Sequence, residues 1–96
     1  MENKNLYETV ILLDEKLNDE EYKKTLEKAK TYFKDCEIKD IEELGKKRLA
    51  YEIRKNKNAY YVLINFIAES NEISEIERNY RIDDNILKFI IVRKDY

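Results

Sequence analysis

The chain has 96 residues, of which 42% are charged and 43% hydrophobic, and its formal net charge is −2. This length predicts a single domain over residues 1–96. The chain contains no His, no Pro, one Cys and one Gly. These counts exclude imidazole-based catalysis, a disulfide or Cys-based zinc site within the chain, and a glycine-rich phosphate loop. We therefore expect a protein that is not an enzyme and has no metal or cofactor.

The ends and the single thiol indicate the compartment. Residues Met1–Asn5 are polar, and no apolar run approaches the roughly 20 residues that a membrane span requires. Cys36 has no partner thiol in the chain, which is typical of a reducing compartment. These features predict a cytoplasmic protein with no membrane partner.

Charge is unevenly distributed along the chain. Residues 46–57 carry six basic side chains against the single acid Glu52, whereas residues 1–45 carry eight Lys against thirteen acids. A basic segment of this kind can bind a polyanion even in an acidic protein, because exposed charges are screened beyond about 8 to 10 Å at physiological salt. The same residues are also typical of a basic strand edge that prevents pairing with other chains.

The first part of the chain predicts a strand and a helix. Leu6–Leu13 is β-branched and apolar, which favours a largely buried strand. Asn18 followed by Asp19, Glu20 and Glu21 has the pattern of a helix N-cap with a reciprocal carboxylate. The helix that follows has its apolar residues at intervals of four, three and four positions: Tyr22, Leu26, Ala29 and Phe33.

The middle of the chain predicts an antiparallel hairpin. A β-like stretch contains Ile38 and Ile41, and Gly45 after them indicates a bulge or a bend. Apolar and polar residues then alternate over 49–54, which predicts a strand with one buried face made of Leu49, Tyr51 and Ile53. A polar turn at 55–58 joins this strand to the strongly β-prone run 59–68.

The last part of the chain predicts a second helix and a final strand. Ser70 or Asn71 is the expected cap, the helix ends at 83–85, and the strand covers Ile86–Arg93. The complete order is strand, helix, strand, strand, helix, strand. This order predicts an α+β fold of the ferredoxin-like, split βαββαβ type, with a four-stranded antiparallel sheet and two helices on one face.

One face of such a sheet has no helix over it. Alternation predicts that Tyr60, Val62, Ile64 and Phe66 face the helices, as do Leu87, Phe89 and Ile91. The residues predicted to face away are Leu6, Glu8, Val10 and Leu12 in the first strand, Tyr61, Leu63, Asn65 and Ile67 in the third, and Ile86, Lys88, Ile90 and Val92 in the last. This face is apolar enough to predict an interaction surface, unless a terminus or a second copy covers it. We expect the partner contact to be made by Tyr61, Leu63, Ile90 and Val92.

Four segments in order resemble one protein family. They are Tyr7-Glu8 before an apolar strand, Gly45-Lys46-Lys47-Arg48-Leu49-Ala50-Tyr51-Glu52-Ile53, the run Tyr60–Phe66, and the run Tyr80–Lys88. Over nearly the whole chain this pattern is similar to the family of the sixth protein of the bacterial small ribosomal subunit. The resemblance implies a structural ribosomal protein on a ferredoxin-like fold. It also implies binding to small-subunit rRNA together with the eighteenth small-subunit protein, and a location in the cytoplasmic ribosome.

The basic side chains are the expected contacts to rRNA phosphates. They are Lys46, Lys47, Arg48, Arg54 and Lys55, joined by Lys88 and Arg93 if the last strand lies nearby. Phosphate contacts fix the position of a protein on RNA without reading its sequence. Because the whole chain is acidic, we expect weak RNA binding by this protein alone and tight binding only with its partner.

The same fold serves other functions, and fold alone does not choose among them. The alternative function is a ferredoxin-like protein-interaction or ligand-sensing regulatory domain without RNA binding. An RNA-recognition motif would need a Gly-aromatic spacing that the third strand lacks. An acyl-phosphate hydrolase would need an anion-binding loop after the first strand, where residues 14–18 are acidic, so we expect no small-molecule substrate.

Overall fold

The computed structural model describes residues 4–94. Its elements are β1 (Lys4–Asp14), α1 (Asp19–Lys30), β2 (Glu37–Ile53), β3 (Asn56–Glu69), α2 (Ser70–Ile82) and β4 (Ile86–Lys94), with a 3-10 turn at Thr31–Phe33 after α1. The four strands form one antiparallel sheet in the order β2-β3-β1-β4. This arrangement confirms the predicted ferredoxin-like α+β fold.

The core lies between the two helices and one face of the sheet. Leu26 and Ala29 of α1 and Ile76 and Tyr80 of α2 are buried in one cluster with side chains of the central strands, namely Tyr7, Ile11, Leu13, Val62, Ile64 and Phe66. The Phe33 ring lies 4.8 Å from the Phe66 ring, centroid to centroid, and joins the end of α1 to β3. Removal of this apolar surface from water is the main stabilising contribution of both helices.

The two helices begin in different ways. The Asn18 N–H donates to Oε1 of Glu21 at 2.9 Å and the Glu21 N–H donates to Oδ1 of Asn18 at 2.8 Å, which confirms the predicted cap of α1. The cap of α2 is Glu69, whose N–H donates to Oε1 of Glu72 at 3.0 Å. The prediction of Ser70 or Asn71 was wrong because β3 runs directly into α2 without a loop. Within residues 4–94, neither helix is long and apolar enough to span a membrane.

β2 is one strand of 17 residues that carries several irregularities. Its pairing with β3 shifts between Glu43 and Gly45, which confirms the bulge expected at the glycine. Gly45 has a φ of +85°, and a Cβ added there would meet no atom within 4 Å. The backbone angle, rather than lack of space, is therefore the reason for glycine at this position.

The β2–β3 connection differs from the predicted hairpin. The turn consists of Arg54 and Lys55 alone, both with positive φ (49° and 65°), and β3 already begins at Asn56. Arg48 pairs with Asn58 and Ile53 pairs with Asn56, so four residues of β2 lie opposite one residue of β3. Residues 49–52 have no partner in this pairing, and residues 49–55 are named here the hairpin arch.

The hairpin arch changes the expected burial of its apolar side chains. Leu49 is buried and packs against Leu12, Ala59 and Leu87 on the face without helices. Tyr51 is 63% exposed, contrary to the prediction that it shares a buried strand face with Leu49. Strict alternation fails here because residues 49–52 do not follow the register of the neighbouring strand.

β4 begins with a second departure from alternation. Leu13 pairs with Ile86 and Leu12 pairs with Lys88, so Leu87 is an additional residue in the strand. Ile86 lies in the core under the helices, and Leu87 lies on the opposite face. The prediction for these two residues was therefore inverted, whereas Phe89 and Ile91 after the bulge pack against the helix-side core as expected.

Candidate functional site

The face without helices presents an apolar surface across three strands. Val10 of β1 pairs with Leu63 of β3 on one side and with Ile90 of β4 on the other. Two residues further along β1, Leu12 pairs with Tyr61 of β3. Ile90 is 52% exposed and Val92 is 45% exposed. The structure thus places all four predicted partner residues on one surface. We name it the open-face patch, and its members are Val10, Tyr61, Leu63, Ile90 and Val92.

Carboxylates border the open-face patch. Glu42 of β2 pairs with Leu63, and Asp40 accepts a hydrogen bond from Nδ2 of Asn65 at 2.8 Å. Glu8 pairs with Val92, and Lys94 Nζ lies 3.4 Å from its Oε2. A partner that covers the patch therefore needs apolar side chains at its centre and basic groups toward β2.

The predicted phosphate contacts on β2 lie at an outer edge of the sheet. Lys46, Lys47 and Arg48 are all exposed, and β2 is the first strand in the sheet order. Lys46 pairs with Tyr60, and its Nζ lies 5.2 Å from the centroid of that ring. Successive side chains alternate between faces, so these three cations extend to both sides of the edge.

The hairpin arch carries two further predicted residues, and one of them, Arg54, reaches the segment just before β4. Nη1 of Arg54 donates to the carbonyl oxygen of Asp84 at 3.1 Å, just before β4. Arg54 and Lys88 line the same cavity of about 270 Å³. Lys55 is exposed in the same turn. The predicted RNA residues thus form two groups, one on β2 and one at the start of β4.

Arg93 belongs to neither group. It pairs with Tyr7, whereas Lys88 pairs with Leu12 at the other end of β1. Five residues of extended strand span about 17 Å. Lys88 and Arg93 therefore lie at opposite ends of β4, and the role of Arg93 as a phosphate contact stays a prediction.

Arg81 is a basic residue near these groups that the sequence patterns did not single out. It lies in the last turn of α2 and lines the same cavity as Arg54 and Lys88. Its guanidinium carbon lies 5.8 Å from the centroid of the Phe89 ring. Because the surrounding segment is acidic, the charge pattern of the sequence did not indicate this residue. The sequence feature that could have indicated it is its position just before the turn into β4, which contains Lys88.

Cys36 is not a reactive thiol. Its Sγ donates to Oε2 of Glu72 at 3.4 Å, and burial together with that carboxylate raises the pKa of Cys36 to about 12. The thiol is therefore protonated at neutral pH and is a poor nucleophile.

Glu15 holds the turn end of the β2–β3 hairpin against the end of β1. Its Oε2 accepts hydrogen bonds from the N–H of Lys57 at 2.7 Å and of Asn58 at 3.3 Å, and its Oε1 accepts one from Nδ2 of Asn58 at 3.3 Å. The bond from Lys57 contributes most to the lowering of the Glu15 pKa, and Lys46 adds a smaller contribution. This carboxylate thus fixes the hairpin that carries the β2 cations.

We expect Glu15→Gln to make the stability of the fold less dependent on pH. Because the pKa of Glu15 is lowered in the folded state, its contribution is present above the ordinary carboxyl pKa. It is lost as the pH falls through the lowered value. Thermal unfolding from neutral pH to about pH 3 measures this effect. Glu20→Gln, at an exposed residue paired with Lys24, is the control, and the same pH dependence in both variants would contradict the role of Glu15.

Comparisons with known proteins agree with this geometry. The family described as Ribosomal protein S6 matches residues 6–93. The small ribosomal subunit protein bS6 of Caldanaerobacter subterraneus subsp. tengcongensis is 42% identical over 91 residues, covering 93% of this chain and 96% of that protein. The protein of the same name from Helicobacter hepaticus is 43% identical over 93 residues, covering 91% of this chain and 65% of that protein.

A solved structure supports the fold independently. The crystal structure of 30S ribosomal protein S6 from Thermotoga maritima superimposes with a TM-score of 0.89 at 24% identity, covering 96% of this chain and 89% of that one. The family match extends over nearly all of the described residues and confirms the resemblance found in the sequence. The chain therefore belongs to the ribosomal protein S6 family of the small ribosomal subunit.

Proposed function

We propose that this protein binds small-subunit rRNA together with the eighteenth small-subunit protein. Family membership makes it a structural protein of the cytoplasmic ribosome rather than an enzyme. The observation that carries the proposal is that one small fold presents both an apolar strand-face patch and a set of exposed cations. The open-face patch is apolar and bordered by carboxylates, whereas the exposed cations lie on β2, on the hairpin arch and at the start of β4.

The open-face patch has the chemistry of a protein interface. Large apolar side chains such as Ile90 and Val92 are about half exposed, and their burial contributes roughly 25 cal/mol per Å² of apolar surface removed from water. Asp40 and Glu42 at its β2 border would attract a basic protein and repel rRNA. These charges favour a basic ribosomal protein, rather than RNA, as the occupant of the patch.

The β2 cations have the chemistry of phosphate contacts. Within residues 4–94, neither Lys47 nor Arg48 forms an ion pair, and the same holds for Lys55 in the turn. Their charges are therefore not neutralised inside the protein. Each such side chain that contacts a phosphate releases condensed counterions, which makes the binding dependent on salt.

We expect rRNA binding to depend on the partner protein. The net charge of −2 opposes RNA binding by this chain alone. A basic partner on the open-face patch would make the net charge of the complex positive and so favour RNA binding. Filter binding of an rRNA fragment at two salt concentrations, with and without the partner, measures the effect. Equally tight and salt-sensitive binding without the partner would contradict the proposal.

A further inference from the structure

The cavity at the start of β4 combines three cations with an aromatic and apolar floor. Its volume is about 270 Å³, and Arg54, Arg81 and Lys88 line it from three different elements. Tyr80 and Phe89 are among the residues beneath them. Arg54, Arg81 and Lys88 line one cavity although the segments 69–84 and 1–45 on either side of the basic stretch are acidic.

Neutral groups, rather than carboxylates, hold two of these cations. Nη1 of Arg54 donates to the carbonyl oxygen of Asp84 at 3.1 Å, and Nζ of Lys88 donates to the hydroxyl of Tyr51 at 3.1 Å. Nη2 of Arg81 lies 3.9 Å from Oε1 of Glu77, and the two side chains are 66% and 34% exposed. An exposed ion pair of that length is weak. The residues that line the cavity therefore keep an excess of positive charge, which suits a phosphate.

An exposed aromatic ring adjoins the cavity. Tyr51 is 63% exposed, and Lys88 Nζ lies 5.6 Å from its ring centroid. Lys88 lines both the cationic cavity and a groove of about 120 Å³ that contains Tyr51. Cations beside an exposed ring are the usual means of binding unpaired nucleotides, whose bases are free to stack on aromatic side chains.

We propose that this cavity binds one unpaired nucleotide of RNA, with its phosphate among Arg54, Arg81 and Lys88 and its base against the ring of Tyr51. The inference rests on the proposed rRNA binding and adds selectivity for single-stranded RNA. The β2 cations contact phosphates of any conformation, whereas Tyr51 requires a base that has left the helical stack. A continuous duplex does not supply such a base.

The test uses the full chain and a labelled single-stranded RNA of about six nucleotides, with a duplex of the same sequence for comparison. Arg81→Gln is expected to weaken single-strand binding about fivefold or more. Arg78→Gln removes the same charge from an exposed position of α2 that does not line the cavity. It should change the affinity less than about twofold.

Three further substitutions separate stacking from charge. Tyr51→Ala is expected to weaken binding of the single strand about 5- to 100-fold, and Tyr51→Phe, which keeps the ring, should retain most of the affinity. Glu77→Gln removes the carboxylate beside Arg81 and should tighten binding. None of these changes should affect duplex binding to the same extent.

The outcomes distinguish this inference from the function on which it rests. Equal effects of Arg81→Gln and Arg78→Gln, or no loss of affinity with Tyr51→Ala, would overturn the nucleotide site even if an rRNA fragment still binds with the partner protein. Failure of the unaltered protein and its partner to bind the rRNA fragment would instead overturn the proposed function.

Discussion

The double variant Leu63→Asp and Ile90→Asp is expected to raise the Kd for the partner protein about a thousandfold. Both side chains lie beside Val10 at the centre of the open-face patch. Central apolar residues of an interface typically contribute about 2 kcal/mol or more each, and 1.4 kcal/mol corresponds to a factor of ten in Kd. A buried carboxylate without a partner adds a desolvation cost to the weaker apolar packing. Titration calorimetry with the purified partner measures the change.

A matched variant separates this effect from a general effect of added charge. Asn71→Asp with Ser74→Asp introduces the same two charges at exposed positions of α2, in the helix layer rather than on the patch. If the double patch variant does not fold, Ile90→Asp alone tests the same surface, because that side chain is 52% exposed on an edge strand. Unchanged affinity in folded patch variants would show that the partner binds elsewhere.

The triple variant Lys46→Gln, Lys47→Gln and Arg48→Gln is expected to weaken rRNA binding about a hundredfold. Removal of each cation that binds a phosphate should also reduce the slope of log K against log salt by about 1. The three residues are exposed on an outer strand, so the loss of their charge should leave the core intact. Filter binding of an rRNA fragment in the presence of the partner, over a series of salt concentrations, gives both quantities.

The control for the triple variant is Lys23→Gln, Lys24→Gln and Lys28→Gln on α1. These lysines are exposed, and the net charge changes by the same amount, so a difference between the variants reports position rather than total charge. The competing interpretation of the β2 cations is that they prevent pairing of the sheet edge with other chains. Unchanged rRNA affinity together with new self-association of the β2 variant would favour that interpretation and contradict the RNA role.

Local patterns in the sequence were sufficient to predict most of the fold. The capping box at Asn18 and Glu21 formed as expected because it depends only on residues three positions apart. The side chains of β3 that face the helices were equally predictable, because Val62, Ile64 and Phe66 are regularly spaced. All three are entirely buried in the structure. The order of elements then restricts the topology to very few arrangements.

The hairpin arch and the bulge in β4 could not be predicted from local patterns. Leu49 and Tyr51 alternate like strand residues, yet four residues of β2 lie opposite one of β3. The reason lies in distant contacts, since Leu49 packs on Leu12 and Leu87 from other strands. Leu87 itself is an additional residue that reverses the alternation before it.

The same long-range folding explains what was missed in the candidate site. Arg54 reaches the start of β4 from the turn of the hairpin arch, and it lines one cavity there with Arg81 and Lys88. The sequence places these residues in segments of opposite net charge. The open-face patch could be predicted because it follows from alternation along regular strands. The cavity at the start of β4 could not, because it depends on the irregular parts of β2 and β4.

Isolation of the tagged protein from cells, followed by sedimentation through a sucrose gradient, tests the central claim most directly. We expect the protein to sediment with small ribosomal subunits. We also expect that, once the subunits are dissociated, a basic ribosomal protein remains bound in a one-to-one ratio. Sedimentation apart from small subunits, or recovery of the protein without a stoichiometric basic partner, would contradict the proposed function.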